Sequence, residues 1–403
     1  MKVHVAILVF GLVLGLAYGQ YPWQEKPSLP LVLSGVYVDD GGCLATVPSE
    51  SAPYIWAAKG HLTTDAYIYD VLAGTWMTRA PVPLGAEGKP VGGGARAASD
   101  GGRYVFMVKG NNTLGFYRYD IVDDEWRQLM DVPLGVSNRK VRPGSDMVMV
   151  HVDGRDWLYL LKGFYNEFYR YDIARDTWQL LVPAPVGANI RYYDGSWLVY
   201  DGDTTIYCQK SVYHELYPYY VTTQVWGTPL LPMPMVSRTG KSVRSGDGGC
   251  AAWLDSSIYA LKGNYTVEFW RYFPAANSWI EMETIPSLGS SGKIKRVAGG
   301  ADITETRGLL HAFKGNSCNE FWCYDARLSA VGERPGRVSI APPRIANPVR
   351  AADLDKAVPP GFTTELYDAL GRRVEPGRVR AGTYVLRVTG PGQENIQSLV
   401  IVE

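Results

Sequence analysis

The residues that first suggest chemistry are six lysines at a near-constant interval: Lys59, Lys109, Lys162, Lys210, Lys262 and Lys314, spaced 48 to 53 apart. Near several of them a basic residue is followed by an aspartate: Arg142 with Asp146, Arg191 with Asp194, Arg244 with Asp247, and Arg296 with Asp302. Brought to one face, these side chains would ring it with alternating charges and offer a polar ligand hydrogen bonds of both senses. Recurrence in every unit favours a structural use for the lysines, fixing turns through Lys–carboxylate or Lys–carbonyl contacts. The Arg and Asp residues vary more between units and are the better ligand-binding candidates. His61, His151, His214 and His311 are the histidines beyond residue 19, and none is paired at metal-ligand spacing. There is no HExxH, GxSxG or phosphate-binding loop. We assign no catalytic residue, no metal ligand and no cofactor. Carboxylates are numerous enough for glycosidase work, but a sequence does not say whether two of them converge.

The lysines belong to a longer repeat that must position them. Tyr104-Val-Phe-Met-Val-Lys-Gly110 is followed by Phe116-Tyr-Arg-Tyr-Asp120 and Glu125-Trp126. About fifty residues on come Trp157-Leu-Tyr-Leu-Leu-Lys-Gly163, Phe168-Tyr-Arg-Tyr-Asp172 and Thr177-Trp178. Each unit reads as four short strands: a Gly-rich lead-in to a small-residue strand, an aromatic and aliphatic strand ending at the lysine, a third ending in Tyr-Asp, and a fourth carrying Trp. Four strands of five or six residues with their turns use up about fifty residues, the length of a propeller blade. No unit shows the 3.6-residue periodicity of a helical solenoid. The sixth unit has no Trp after Tyr324-Asp325, whereas Tyr21-Pro22-Trp23 stands alone near the N-terminus. Taking that segment as the sixth unit's outer strand gives six tryptophans, Trp23, Trp76, Trp126, Trp178, Trp226 and Trp279, for six blades. These are read as packing residues. The predicted fold is therefore an all-β six-bladed propeller closed by an N-terminal strand.

The glycine turn after the second strand, then Tyr, then Trp at a fixed interval resembles the kelch family, over roughly residues 21 to 329. The chain departs from that pattern in having Lys-Gly where kelch repeats have Gly-Gly. Galactose oxidase also carries a kelch propeller, but the paired His and Tyr copper ligands of that enzyme are not assembled here. Ser245-Gly-Asp247-Gly-Gly249 followed by Trp253 imitates the Asp box of sialidases. We read it as a coincidence, since it leads into a first strand rather than lying in a third-to-fourth turn.

The ends of the chain read differently. Residues 1–19 have a basic start, an apolar run from Val5 to Leu16 and small residues at Ala17-Tyr18-Gly19, the three parts of a signal peptide. The mature protein is expected to occupy residues 20–333 as the propeller, 334–345 as a Pro-rich linker and 346–403 as a small Ig-like β-sandwich. In that tail Asn347-Pro348, Tyr367-Asp368-Ala369-Leu370-Gly371-Arg372 and Ala381-Gly382-Thr383-Tyr384 are similar, in order, to the type A sorting domain of type IX secretion. Glu403 stands where that family has a basic residue. The resemblance implies an outer-membrane translocon as partner and a surface or extracellular destination.

Lysine plus arginine equals aspartate plus glutamate at 40 each, which argues against nucleic acid as the main partner. No segment after residue 19 is apolar for long enough to cross a membrane. The five cysteines are an odd number, so at least one is free or pairs between molecules. Cys318 and Cys323 are near enough in sequence to bridge, although small buried thiols are the plainer reading. The function expected is that of an exported, non-catalytic protein binding a glycan or a protein. The alternatives are a propeller hydrolase or lyase with acids at the channel mouth, and a structural surface component.

Overall fold

The computed structural model describes residues 21–47, 53–329, 363–367, 373–374, 382–389 and 396–402. The expected signal peptide, the linker 334–345 and much of the sorting-domain motif lie outside the described residues. The chain divides into two compact units, Met1–Val331 and Gly332–Glu403. Among the described residues no helix is long and apolar enough to cross a membrane.

The first unit is a six-bladed β-propeller. Blade 1 is built from Cys43–Val47, Tyr54–Ala58, Ala66–Asp70 and Thr75–Arg79. Blade 2 is Arg96–Ser99, Tyr104–Val108, Phe116–Asp120 and Glu125–Gln128, and blade 3 is Asp146–Val152, Arg155–Lys162, Glu167–Asp172 and Thr177–Leu180. Blade 4 is Trp197–Tyr200, Thr205–Lys210, Glu215–Tyr220 and Val225–Trp226. Blade 5 is Cys250–Leu254, Ser257–Leu261, Phe269–Phe273 and Ser278–Glu281. In blade 6, Asp302–Thr306, Leu309–Phe313 and Phe321–Tyr324 are joined by Trp23–Lys26, with Trp23 opposite Tyr324. The first strands of all six blades pack around the central channel.

Burial explains the residue types. Second strands such as Tyr54–Ala58 and Tyr104–Val108 are covered on both faces by neighbouring blades, so they are apolar throughout rather than alternating. Fourth strands such as Glu125–Gln128 turn one Trp inward and leave the rest to solvent. The core is accordingly six clusters, each shared by two neighbouring blades, as where Trp56 and Ile68 of blade 1 meet Met107 and Tyr119 of blade 2.

Each tryptophan ties its blade to the preceding one. The indole N–H groups of Trp23, Trp76, Trp126, Trp178, Trp226 and Trp279 donate to the backbone carbonyls of Glu283, Pro27, Ala80, Met130, Val182 and Leu231 at 2.7–3.1 Å. In three blades the clasp is double. The N–H groups of Ala80, Met130 and Leu231 donate to Asp124, Asp176 and Asn277, which also accept from Tyr119, Tyr171 and Tyr272. Each such tyrosine lies 4.9–5.0 Å from the tryptophan of its own blade.

A closer contact occurs where each first strand begins. Gly144 has φ 90°, and a Cβ there would lie 2.2 Å from the Tyr192 carbonyl oxygen of the next blade. Gly300 repeats this against the Asp39 carbonyl at 2.1 Å, so blade 6 meets blade 1 as blade 3 meets blade 4.

The second unit shows one antiparallel sheet from Thr363–Tyr367, Arg373–Val374, Gly382–Thr389 and Ile396–Val402, in which Thr363–Tyr367 and Gly382–Thr389 are central.

Gly144→Ala should destabilise far more than Gly154→Ala, which also has positive φ (67°) but nothing within 4 Å of its Cβ position. The control should cost about 1 kcal/mol. Comparable urea midpoints for the two variants would sink the close-contact argument.

Candidate functional site

The segments leading into the first strands, and the turns after the second strands, share one face of the propeller. The six repeat lysines are buried beneath it. Burying an ammonium demands partners. Lys59 pairs with Asp65 at 3.2 Å, Lys162 with Glu167 at 2.5 Å, Lys210 with Glu215 at 3.2 Å, Lys262 with Glu268 at 2.7 Å, and Lys314 with Glu320. Five of the lysines also donate to loop carbonyls between blades, as Lys162 does to Pro133 and Leu134. Blade 2 has Gly115 in place of the carboxylate, and there Lys109 donates to the carbonyls of Pro83, Leu84 and Lys89 at 2.5–2.9 Å. Burial pushes the Lys109 ammonium below its usual range, with Glu87 and Asp131 opposing the shift. These contacts use the lysines up in holding loops.

The positive-φ glycines index the channel. The residue before each is Asp40, Gly93, Pro143, Asp194, Asp247 and Gly299, and these six form the outer ring at the mouth. One carboxylate oxygen from each of Asp40, Asp194 and Asp247 lies within 4.8 Å of the others. Glycine at 299 makes room, since a Cβ would sit 2.0 Å from Asp40 Oδ1 and 3.3 Å from Asp247 Oδ1. Burial, followed by the charges of Asp194 and Asp40, pushes the Asp247 carboxyl up to about 7. Asp40 is raised as well, by burial and then by Asp194 and Asp39. Three carboxylates at this spacing are the donor type of a hard cation, and equally a site that holds a proton near neutrality.

Two residues after each glycine lies a deeper ring: Cys43, Arg96, Asp146, Trp197, Cys250 and Asp302. The Arg96 Nε pairs with Asp146 at 3.2 Å. Asp146 also accepts from the Leu198 N–H of the next blade at 2.6 Å, and Asp302 from the Leu44 N–H at 2.7 Å. Burial pushes Asp146 up to about 6, against the pull of Arg96, and raises Asp302. A cavity of about 410 Å³ opens onto this ring, but its charged groups are already engaged in joining blades.

The four Arg–Asp pairs were expected to share one charged face, but the structure places their aspartates at two depths. Asp194 and Asp247 are at the mouth, whereas Asp146 and Asp302 are inside the channel and serve the inter-blade contacts. Arg244 and Arg296 are exposed, and their backbone carbonyls accept from Asn264 and Asn316. Asp40 was missed, although Asp40-Gly41-Gly42-Cys43 repeats Asp247-Gly248-Gly249-Cys250 letter for letter. Arg96, which no paired Asp marks in sequence, was missed too. The five cysteines are free and buried, and burial pushes the Cys43, Cys208 and Cys250 thiols up, away from reactive thiolate.

Beside the outer ring lies an open basin of about 650 Å³ whose lining includes Asp40, Asn111, Asn112, Arg142, Phe164, Tyr193 and Asp194. The Phe164 and Tyr193 rings meet edge-on at 6.0 Å, and Tyr193 stacks on Tyr213 at 6.1 Å. The guanidinium of Arg191 lies 4.7 Å from the Phe164 ring centre and that of Arg142 lies 5.7 Å away. Arg142 Nε donates to Asn112 Oδ1 at 3.1 Å. The turn position of Phe164 is Asn in blades 2, 5 and 6, a residue at ease with positive φ. Phe164 occupies it at φ 70°, a costly conformation for a bulky side chain. The signal available in sequence was Gly163-Phe164-Tyr165 against Gly110-Asn111-Asn112.

No protein-family model matches the chain, and no curated protein does. Among solved structures it is similar to that of YjhT (13% identity, TM-score 0.49, covering 74% of this chain and 95% of that one). It is also similar to a protein of unknown function from Bacteroides thetaiotaomicron VPI-5482 (13% identity, TM-score 0.50, covering 74% and 72%). At that identity the likeness to the latter speaks to the propeller fold alone.

Two outcomes are expected here. Lys162→Met should cost roughly 3–5 kcal/mol, because it strands a buried Glu167 carboxylate, and adding Glu167→Gln should recover part of the loss in chemical denaturation. Asp247 is easier to protonate in the folded protein than in the unfolded chain, so its contribution to stability falls as pH rises from about 4 to about 7. Asp247→Asn should flatten the Tm profile across that window, and an unchanged slope would remove Asp247 as its source.

Proposed function

We propose that this is an exported, non-catalytic binding protein that recognises a glycan in the basin at the channel mouth. The observation that carries the reading is Phe164. The fold accepts a strained aromatic at a turn where blades 2, 5 and 6 use Asn, and its half-exposed ring continues through Tyr193 to Tyr213. Aromatic faces of this kind pack on sugar rings, while Asn111, Asn112, Arg142 and Asp194 offer both donors and acceptors to hydroxyls.

The repeat pattern supports a kelch-like propeller, and the pairing of Trp23–Lys26 with Phe321–Tyr324 supports the N-terminal strand as its closure. Export rests on the signal-like residues 1–19 and on the tail's similarity to a type IX sorting domain, with a secretion translocon as partner and an Ig-like sandwich as that domain's fold. The destination is then the cell surface or the medium.

A second reading is favoured by one observation. Asp247, raised to about 7 beside Asp194 and Asp40, has the proton affinity of a general acid. In a hydrolase or lyase, Asp247→Asn would abolish turnover while leaving binding intact.

A glycan array followed by calorimetric titration tests the first reading. Phe164→Ala and Arg142→Ala should each weaken binding by roughly tenfold, and Val122→Ala on the opposite face should change nothing. Folded protein that binds no glycan, or binding indifferent to Phe164, would overturn it; product release from a bound glycan, lost in Asp247→Asn, would instead establish the enzyme.

A further inference from the structure

Six loops join the blades, five of them held by buried lysines through their carbonyls, and most of their outward-facing side chains lie outside the glycan reading. Each loop runs from a fourth strand to the next blade's first strand, and each presents an apolar tip: Val32, Leu84, Val136, Val186, Val236 and Ile294. These are exposed by between 47% (Leu84) and 87% (Val136), which is high for aliphatic side chains and recurs on all six inter-blade loops. Leu31, Leu134, Ile190, Met235 and Leu288 add further exposed apolar area beside them. Because every inter-blade loop carries such side chains, they form a rim around this face rather than a single scattered spot.

Charge says what such a rim faces. The loop segments 29–37, 84–90, 134–142, 186–191, 235–244 and 288–296 carry none, one, three, one, three and three Lys or Arg in turn. Their one acid is Glu87, which Lys140 already engages. Arg139, Lys241, Arg244, Lys293 and Arg296 are exposed and have no ion-pair partner among the described residues. The opposite face has the reverse sign. Turns 70–75, 99–104, 120–125, 152–156, 172–177, 200–205, 254–257 and 305–309 hold fourteen Asp and Glu against four Arg. A chain with no net charge is thus polarised across the propeller.

We propose that the loop face docks on an anionic lipid surface, with the aliphatic tips entering the interface and the rim cations meeting the headgroups. Aliphatic tips interspersed with cations are the pattern of interfacial binding, and juxtamembrane cations add attraction to anionic lipid that salt screens. The acidic face would point away, so the same field that attracts the protein also orients it. The mouth acids Asp40, Asp194 and Asp247 lie within the rim and leave its cations free to reach the surface. Docking does not depend on the glycan reading, since the rim residues Val136, Ile294, Lys293 and Arg296 lie outside the basin's lining.

The test is flotation of the full-length protein with vesicles of phosphatidylcholine alone or with about one third phosphatidylglycerol. The protein should float with the anionic vesicles only, and less so as salt rises. Lys293→Gln and Arg296→Gln should each weaken binding by about fivefold. Val136→Asp with Ile294→Asp should abolish it while leaving Tm and the Phe164-dependent glycan titration unchanged. No flotation with anionic vesicles, or flotation unaffected by the Val136 and Ile294 changes, would overturn the proposal. Concentration-dependent dimerisation that those two changes abolish, without vesicle binding, would also overturn it and assign the rim to a second copy of the chain.

Discussion

Each blade meets the next through a glycine at positive φ, with backbone packed on backbone so closely that a single methyl group would overlap a carbonyl oxygen. At Gly144 and again at Gly300 the space left for a side chain is smaller than any side chain. That contact fixes how near the first strands lie to the central axis, and so how far the residue before the glycine reaches into the mouth. Three blades place aspartate there, and the carboxylates converge although they come from strands more than fifty residues apart. The raised carboxyl of Asp247 is a consequence of blade packing.

The tryptophans do at the periphery what the glycines do at the axis. An indole N–H reaching back to the previous blade's carbonyl, buttressed by a tyrosine of its own blade, leaves little freedom in the angle between neighbours. With both edges held, the segments joining blades can vary. Buried lysines hold the feet of those segments by their carbonyls, and the tips above are free to carry apolar and basic groups. In blade 2 the lysine is solvated by carbonyls alone, which shows that the loop contact persists where the carboxylate is absent.

The central channel illustrates why charge by itself does not mark a site. Arg96, Asp146 and Asp302 are the more deeply buried charged groups, yet their hydrogen bonds are spent on the N–H groups and side chains of adjacent blades. The basin beside the mouth has the opposite character. Its rings are half exposed, Arg142 and Asn112 are held in place by each other, and Phe164 keeps a strained backbone with no packing need that Asn does not meet elsewhere.

The number of blades and the order of strands within each were legible in the sequence, because a fifty-residue period with Lys, Tyr and Trp in step records contacts that every blade makes alike. The structural character of the lysines was legible for the same reason. The candidate site lies where the blades differ, and a repeat read for its likeness hides such positions. Asp146 and Asp194 looked equivalent as partners of nearby arginines, but three residues separate their places relative to the ring glycine, enough to move one from the mouth into the channel. Asp40 and Asp247 each begin the same Asp-Gly-Gly-Cys run, but only closure of the ring brings them beside Asp194. Sequence determined the blade; which side chains meet across the axis was decided by the tertiary structure, because convergence at a centre depends on depth and rotation that no single blade encodes.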